Sequence, residues 1–125
     1  MLTAGRRAAL VLALAGCGSP AVVDLDAGAD GRTIRLAEGS RLRLVLPENP
    51  STGYRWRIAA DAAPVLRLEE DASMPGGTAP GSPGTHRWVF RAAQPGQAVL
   101  RLDHARPWEA VPPAAQVTVT VQVGG

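Results

Sequence analysis

Along most of this chain apolar and polar residues take turns. In "RLRLVL" Leu42, Leu44 and Leu46 fall on one face and Arg41 and Arg43 on the other; in "YRWRI" Tyr54, Trp56 and Ile58 oppose Arg55 and Arg57. The same period continues in "VLRLE" with Leu66 and Leu68, in "HRWVFR" with His86, Trp88 and Phe90, and in "AVLRLDH" with Leu100 and Leu102. In "VTVTVQV" Val117, Val119, Val121 and Val123 stand against threonines and a glutamine. Successive side chains of a strand point to opposite sides, so a period of two marks a half-buried β-strand. An earlier run, "AVVDL", can supply a first strand, and no window of helical period competes beyond the N-terminal segment. Seven or eight short strands at a spacing of roughly 8 to 12 residues predict an all-β, antiparallel two-sheet sandwich. Trp56 sits where such a sandwich buries a tryptophan between its sheets, and core packing is its expected role.

Strand parity then sorts the connections. If successive strands alternate in direction, the segments after "RLRLVL", "VLRLE" and "AVLRLDH" all leave from one end. That end receives "ENPSTG", "DASMPGGTAPGSPG" and "ARPWEAVPPAA", and the opposite end receives "AEGS", "AADAAP" and "AAQPGQ". Connections that only close hairpins are short and chemically ordinary. Here the second connection is long and rich in glycine and proline, and the third carries Trp108, where a turn needs no indole. Loops clustered at one end of a rigid sandwich are a usual way to build a binding surface.

The first residues belong to something other than the fold. Arg6 and Arg7 precede the apolar "AALVLALAG", too short to span a bilayer, and "LAGC" follows. This resembles the lipobox of bacterial lipoproteins, which implies a signal peptide over 1–16 and lipidation of Cys17 as the first mature residue. Residues 17–31 are then expected to be a lipid-anchored tether with room for a first strand, and 32–125 the folded domain. Gly18 after the cysteine favours the outer membrane if the cell is Gram-negative, so the expected location is the cell envelope. Cys17 is the single cysteine, so the domain is held by its core without an internal disulfide.

Charge narrows the partners by exclusion. All 13 basic residues are arginine, and without Arg6 and Arg7 eleven remain against eleven acids. A near-neutral domain with few aromatics has no nucleic-acid footprint. His86 and His104 lack the cysteine or carboxylate cluster that a metal site needs, so no metal or other cofactor is expected and both imidazoles read as structural or rim residues. Glu69, Glu70 and Asp71 read as a solvated strand end, since nothing converges on them to make a general acid and base. No enzyme is expected.

Three segments, in order and spacing, carry a further signal: "NPSTGYRW", the glycine-rich "GSPGTHRWVF" and "RPWE". Together they resemble the chagasin family of cysteine-protease inhibitors, whose three loops carry NPTTG, a glycine-rich segment and RPW, over essentially the whole domain. The resemblance implies an immunoglobulin-like fold that wedges three loops into the cleft of a papain-like cysteine protease, reversibly and uncut. It implies that Asn49, Pro50, Ser51, Thr52 and Gly53 cover the catalytic pair, with Tyr54 next to them also in the protease-binding set. Arg106, Pro107 and Trp108 take one flank, and Gly81, Ser82, Pro83, Gly84 and Thr85 the other. Ser51 stands where the family commonly has threonine, and Pro80 and Pro83 make the middle loop richer in proline than the usual pattern. The implied partners are a papain-like protease and, through the N-terminal lipid, a membrane; the chain is expected to act as a monomer.

The residues support such a tip from below. A papain-like site holds a thiolate beside an imidazolium in a groove, so a loop entering it should bury no unpaired charge, and "NPSTG" has none. Pro50 restricts its own φ and the geometry of Asn49, and Gly53 can take a φ closed to side chains, so the loop can be ordered before docking. The alternative is a surface lipoprotein whose loops hold some other ligand in adhesion or envelope assembly.

Overall fold

The computed structural model describes residues 19–77, 79 and 81–124; the expected signal peptide, Cys17 and Pro80 lie outside the described residues. Eight strands follow in order: β1 (Val22–Leu25), β2 (Thr33–Ala37), β3 (Arg41–Glu48), β4 (Arg55–Asp61), β5 (Leu66–Met74), β6 (Gly84–Ala92), β7 (Gly96–Ala105) and β8 (Ala115–Gly124). They form two four-stranded sheets, ordered β1-β3-β6-β5 and β2-β8-β7-β4. Two short 3-10 turns, Ala27–Ala29 and Pro50–Thr52, complete the regular structure among the described residues. No helix among the described residues is long and apolar enough to cross a membrane.

The alternating pattern explains why the sheets face each other. Leu42, Leu44 and Leu46 of β3 and Trp88 and Phe90 of β6 are fully buried, and they oppose Leu100 and Leu102 of β7 and Val117, Val119, Val121 and Val123 of β8. Each such side chain contributes roughly 1.5–3 kcal/mol when taken out of water. Trp56 is buried as expected, and its indole N–H donates to the Pro47 carbonyl at 2.8 Å, which ties β4 of one sheet to β3 of the other. Trp88 is the more deeply enclosed of the two indoles.

The sandwich has the expected class, with four refinements. The sheets are mixed, because β1 runs parallel to β3 and β2 parallel to β8. β2 was not among the alternating runs picked out above, although Ile34 and Leu36 carry the same period and are buried. The segment expected as tether joins the fold from β1 onward, and Ala29 in the following turn is buried in the core. Finally, β5 runs beyond "VLRLE" to Met74, with a bulge between Leu68 and Glu70.

That bulge changes the reading of the acids. An extra residue shifts the phase of a strand, so residues beyond it exchange faces. Leu66 and Leu68 stand opposite Ala92 and Phe90, whereas past the bulge Asp71 and Ser73 stand opposite Trp88 and His86. Leu68, near the bulge on an edge strand, is left exposed. The acids are therefore mid-strand and paired: Glu69 with Arg41 at 2.7 Å, Glu70 with Arg87 at 2.6 Å, and Asp71 with His86.

Candidate functional site

β1 pairs only with the first half of β3, and β2 only with the last part of β8, so the link between them returns at mid-height. This leaves one end of the sandwich to the three connections that parity put there: 49–54 after β3, 75–83 after β5 and 106–114 after β7. The middle connection is shorter than the sequence suggested, because Asp71 to Met74 and Gly84 onward, including Thr85, are strand.

Side chains inside the first loop hold its shape. Asn49 Oδ1 accepts the Ser51 N–H at 3.1 Å and the Ser51 hydroxyl at 2.7 Å. The Thr52 hydroxyl donates to the Asn49 carbonyl at 2.8 Å and accepts the Tyr54 N–H at 3.2 Å. Asn and Thr side chains reproduce turn hydrogen bonds in this way, which stabilises a compact tip without a partner.

Two contacts from that loop reach the others. Asn49 Nδ2 donates to the Gly81 carbonyl at 3.3 Å, joining the first loop to the second. Arg106 Nε donates to the Thr52 carbonyl at 3.1 Å while its guanidinium lies over the Tyr54 ring, 4.4 Å from the centroid. Such stacking of Arg on a ring is favourable by roughly 0.5–1 kcal/mol where solvent reaches it. The Trp108 indole rests against Gly53, so close that a Cβ there would overlap its ring edge, yet the indole is 71% exposed. Gly53 has φ +80°, a conformation that suits glycine. Gly76 and Gly84 cross at the root of the second loop, where a Cβ on either would overlap backbone of the facing segment. Ser82 turns back by donating its N–H to the Ala79 carbonyl at 3.1 Å, and Pro83 and Pro107 are exposed.

Under the loops lies a polar layer. The Glu48 carboxylate, nearly inaccessible, accepts the Trp56 N–H at 2.9 Å and the Ser73 hydroxyl at 3.0 Å, and His86 Nδ1 lies 3.3 Å from both its oxygens. One carboxylate thus joins β3, β4, β5 and β6 at the roots of two loops. Beside it a cavity of about 290 Å³ is lined by Glu48, Arg55, Ser73, Met74, Pro75, Ser82, Gly84 and Thr85. His86 stacks on Trp88 and His104 on Trp56, with ring centroids 4.1 and 4.5 Å apart. Both histidines are structural members of this layer. Among the described residues no group of three His, Cys, Asp or Glu side chains is placed to hold a metal ion.

Burial alone pushes the Glu48 carboxyl up, but the Trp56 amide, the Ser73 hydroxyl and His86 outweigh it and hold the group below its ordinary 4.5. Burial pushes His104 below its ordinary 6.5, against a smaller opposite pull from Glu48, and its Nε2 has no hydrogen-bond partner. In both cases the unfolded chain takes up the proton first, so stability is present above the ordinary value and lost as pH falls. The melting temperature is expected to decline from pH 6.5 downward through His104, and again below 4.5 through Glu48. In His104→Phe the first decline should vanish and the second remain; identical profiles for the two proteins would remove His104 as the cause.

A sequence profile described as Chagasin family peptidase inhibitor I42 matches residues 35–123, a span that includes all three loops. The chain belongs to the chagasin family. Members of this family inhibit peptidases and are not enzymes. The solved cysteine protease inhibitor EhICP2 from Entamoeba histolytica has a TM-score of 0.77 and 24% identity to this chain, covering 85% of it and 98% of the relative. Amebosin, known in solution, gives 0.58 at 26% identity, with 85% and 99% covered. PbICP-C, solved in complex with falcipain-2, gives 0.55 at 20% identity, with 82% and 98% covered. No curated protein matches the chain.

Within this chagasin-family fold the structure brings Asn49, Ser51, Thr52, Gly53, Tyr54, Gly81, Arg106 and Trp108 together at one end. Sequence reasoning passed over Glu48 and Ser73 and read Asp71 only as part of a solvated strand end. For Glu48 a signal was present: it continues the buried phase of Leu42, Leu44 and Leu46, and a charge in that phase needs partners. For Ser73 and Asp71 there was none, because the bulge reverses their phase.

Proposed function

We propose that this chain is a reversible inhibitor of papain-like cysteine proteases that seats its three-loop end in the active-site cleft. The reading rests on one observation: three segments far apart in sequence converge into a hydrogen-bonded wedge whose tip, Asn49 to Gly53, carries no charge. The tip would stand over the catalytic cysteine and histidine, Arg106, Pro107 and Trp108 on one flank, and Gly81, Ser82, Pro83, Gly84 and Thr85 on the other. A thiolate and imidazolium in a closed groove tolerate an uncharged guest, since no new charge is buried without a partner. Pre-formed hydrogen bonds at Asn49 and Thr52 reduce the entropy lost on docking. The 3-10 turn at Pro50–Thr52 offers a bent backbone in place of an extended one, which accounts for a chain that blocks the site without being cut. The family membership, and a relative solved in complex with falcipain-2, support this class of target. We further propose that lipid on Cys17 holds the inhibitor at the cell envelope.

Residues 18–125, titrated into a papain-like protease while activity and chain integrity are followed, should abolish activity stoichiometrically and remain intact. No inhibition of several such proteases would overturn the proposal and favour an adhesion or assembly role. In the same assay Gly53→Ala should weaken inhibition about tenfold, since a left-handed conformation costs a non-glycine residue roughly 1–2 kcal/mol, and the new methyl displaces Trp108. A blue or red shift of the indole emission would report the displacement independently.

A further inference from the structure

We infer that the anchored protein stands upright on its membrane: the end opposite the loops faces the lipid surface, and the three loops point into the aqueous compartment. This rests on the proposed lipidation of Cys17. The parallel pairing of β1 with β3 sets Val22 beside Arg41, at the start of β3, while the loop end begins after Glu48 at its finish. The chain is fastened at that far end. Ala21 donates its N–H to Ser40 Oγ at 3.1 Å, its carbonyl accepts the Arg41 N–H at 2.9 Å, and the Pro20 ring lies against Gly39.

Only Gly18, Ser19 and Pro20 separate Cys17 from Ala21. Four Cα–Cα steps reach at most about 14 Å even when fully extended. The eight residues of β3 rise about 25 Å from the far end to the loop roots. The anchor therefore falls short of the loop end, and the sandwich cannot be inverted onto the same bilayer. Lying flat would set a hydrated face on the headgroups. The outer side of one sheet carries the Arg41–Glu69, Arg43–Asp24 and Arg87–Glu70 pairs, and β8 shows Thr118, Thr120 and Gln122 outward. Each face exposes apolar side chains only singly, Val22 beside Arg41 on one and Val99 beside Thr120 on the other, and neither makes a continuous apolar surface to bury in lipid.

Charge does not set this orientation. At the far end Arg67 and Arg91 stand side by side across β5 and β6, and the exposed Glu38 and Asp61 offset them. Anionic and neutral bilayers should orient the protein alike, because the short tether is the cause. The partner that fits is a soluble papain-like protease approaching from the compartment with its cleft turned toward the membrane.

The test uses the full chain, processed and lipidated, in phosphatidylcholine vesicles. Because Cys17 is the single cysteine and its thiol is consumed by the lipid, a cysteine introduced by Glu38→Cys or Val111→Cys is the one reactive thiol. A fluorophore on each is exposed to headgroup-nitroxide lipid. Both positions are exposed, Glu38 at the far end and Val111 in the third loop. Strong quenching at position 38 with little at 111 is the expected result; equal quenching, or more at 111, overturns the orientation. A chain whose mass shows no acyl groups and which does not stay on the vesicles overturns the anchoring itself. Mass and retention therefore tell the two failures apart.

Discussion

Trp108→Ala is expected to weaken inhibition of a papain-like protease by about 2 kcal/mol or more, a roughly thirtyfold rise in Ki. Tryptophan and arginine dominate measured hot spots, and this indole is 71% exposed at the loop end, where the fold itself has little use for it. Because it lies outside the core, the melting temperature should hardly change. The indole also covers Gly53, so part of the loss would come from a looser first loop. Trp108→Phe separates the two effects: a phenyl ring can still cover Gly53 but presents less area to a protease. Inhibition unchanged in Trp108→Ala would leave the residue as a cover for Gly53 and nothing more.

Glu48→Ala is expected to cost about 3 kcal/mol of stability, the upper end of the range for leaving a buried hydrogen-bond donor without its charged acceptor. The buried Trp56 N–H would lose its acceptor, and Ser73 and His86 would lose their common partner. For a domain of this size each kcal/mol lowers the melting temperature by about 4–8 °C, so a fall of more than about 10 °C should be seen by calorimetry. Glu48→Gln retains one carbonyl for the Trp56 amide and should lose less. If both variants melt with the parent protein, the carboxylate does not hold the four strands as described.

These two residues differ in how far the sequence announced them. Trp108 stood out, because an indole in a connection between strands has no local reason to be there. Glu48 was visible only as an exception to phase: three leucines precede it at intervals of two, so the chain had to bury a carboxylate or break the strand. His86 and His104 end the inward faces of their runs in the same manner, and neither run discloses what it meets. The bulge in β5 hid still more, since Asp71 and Ser73 come onto the side of Trp88 and His86 only because one residue is unpaired. Arg106 was legible as a flank of the loop surface, but its hold on Thr52 and Tyr54 was not.

The sequence by itself determined the strands other than β2, their inward faces apart from the part of β5 beyond its bulge, and, through parity, which three connections share an end. Alternation is a local property, written every second residue, and parity needs nothing more than strand order. Only the tertiary structure decided that β1 and β2 join in parallel, that Glu48 gathers Trp56, Ser73 and His86, and that the chain is fastened at the end away from the loops. Those features are contacts between residues 8 to 87 positions apart. They depend on how two sheets stack and on where a single bulge falls, which no window of the chain contains.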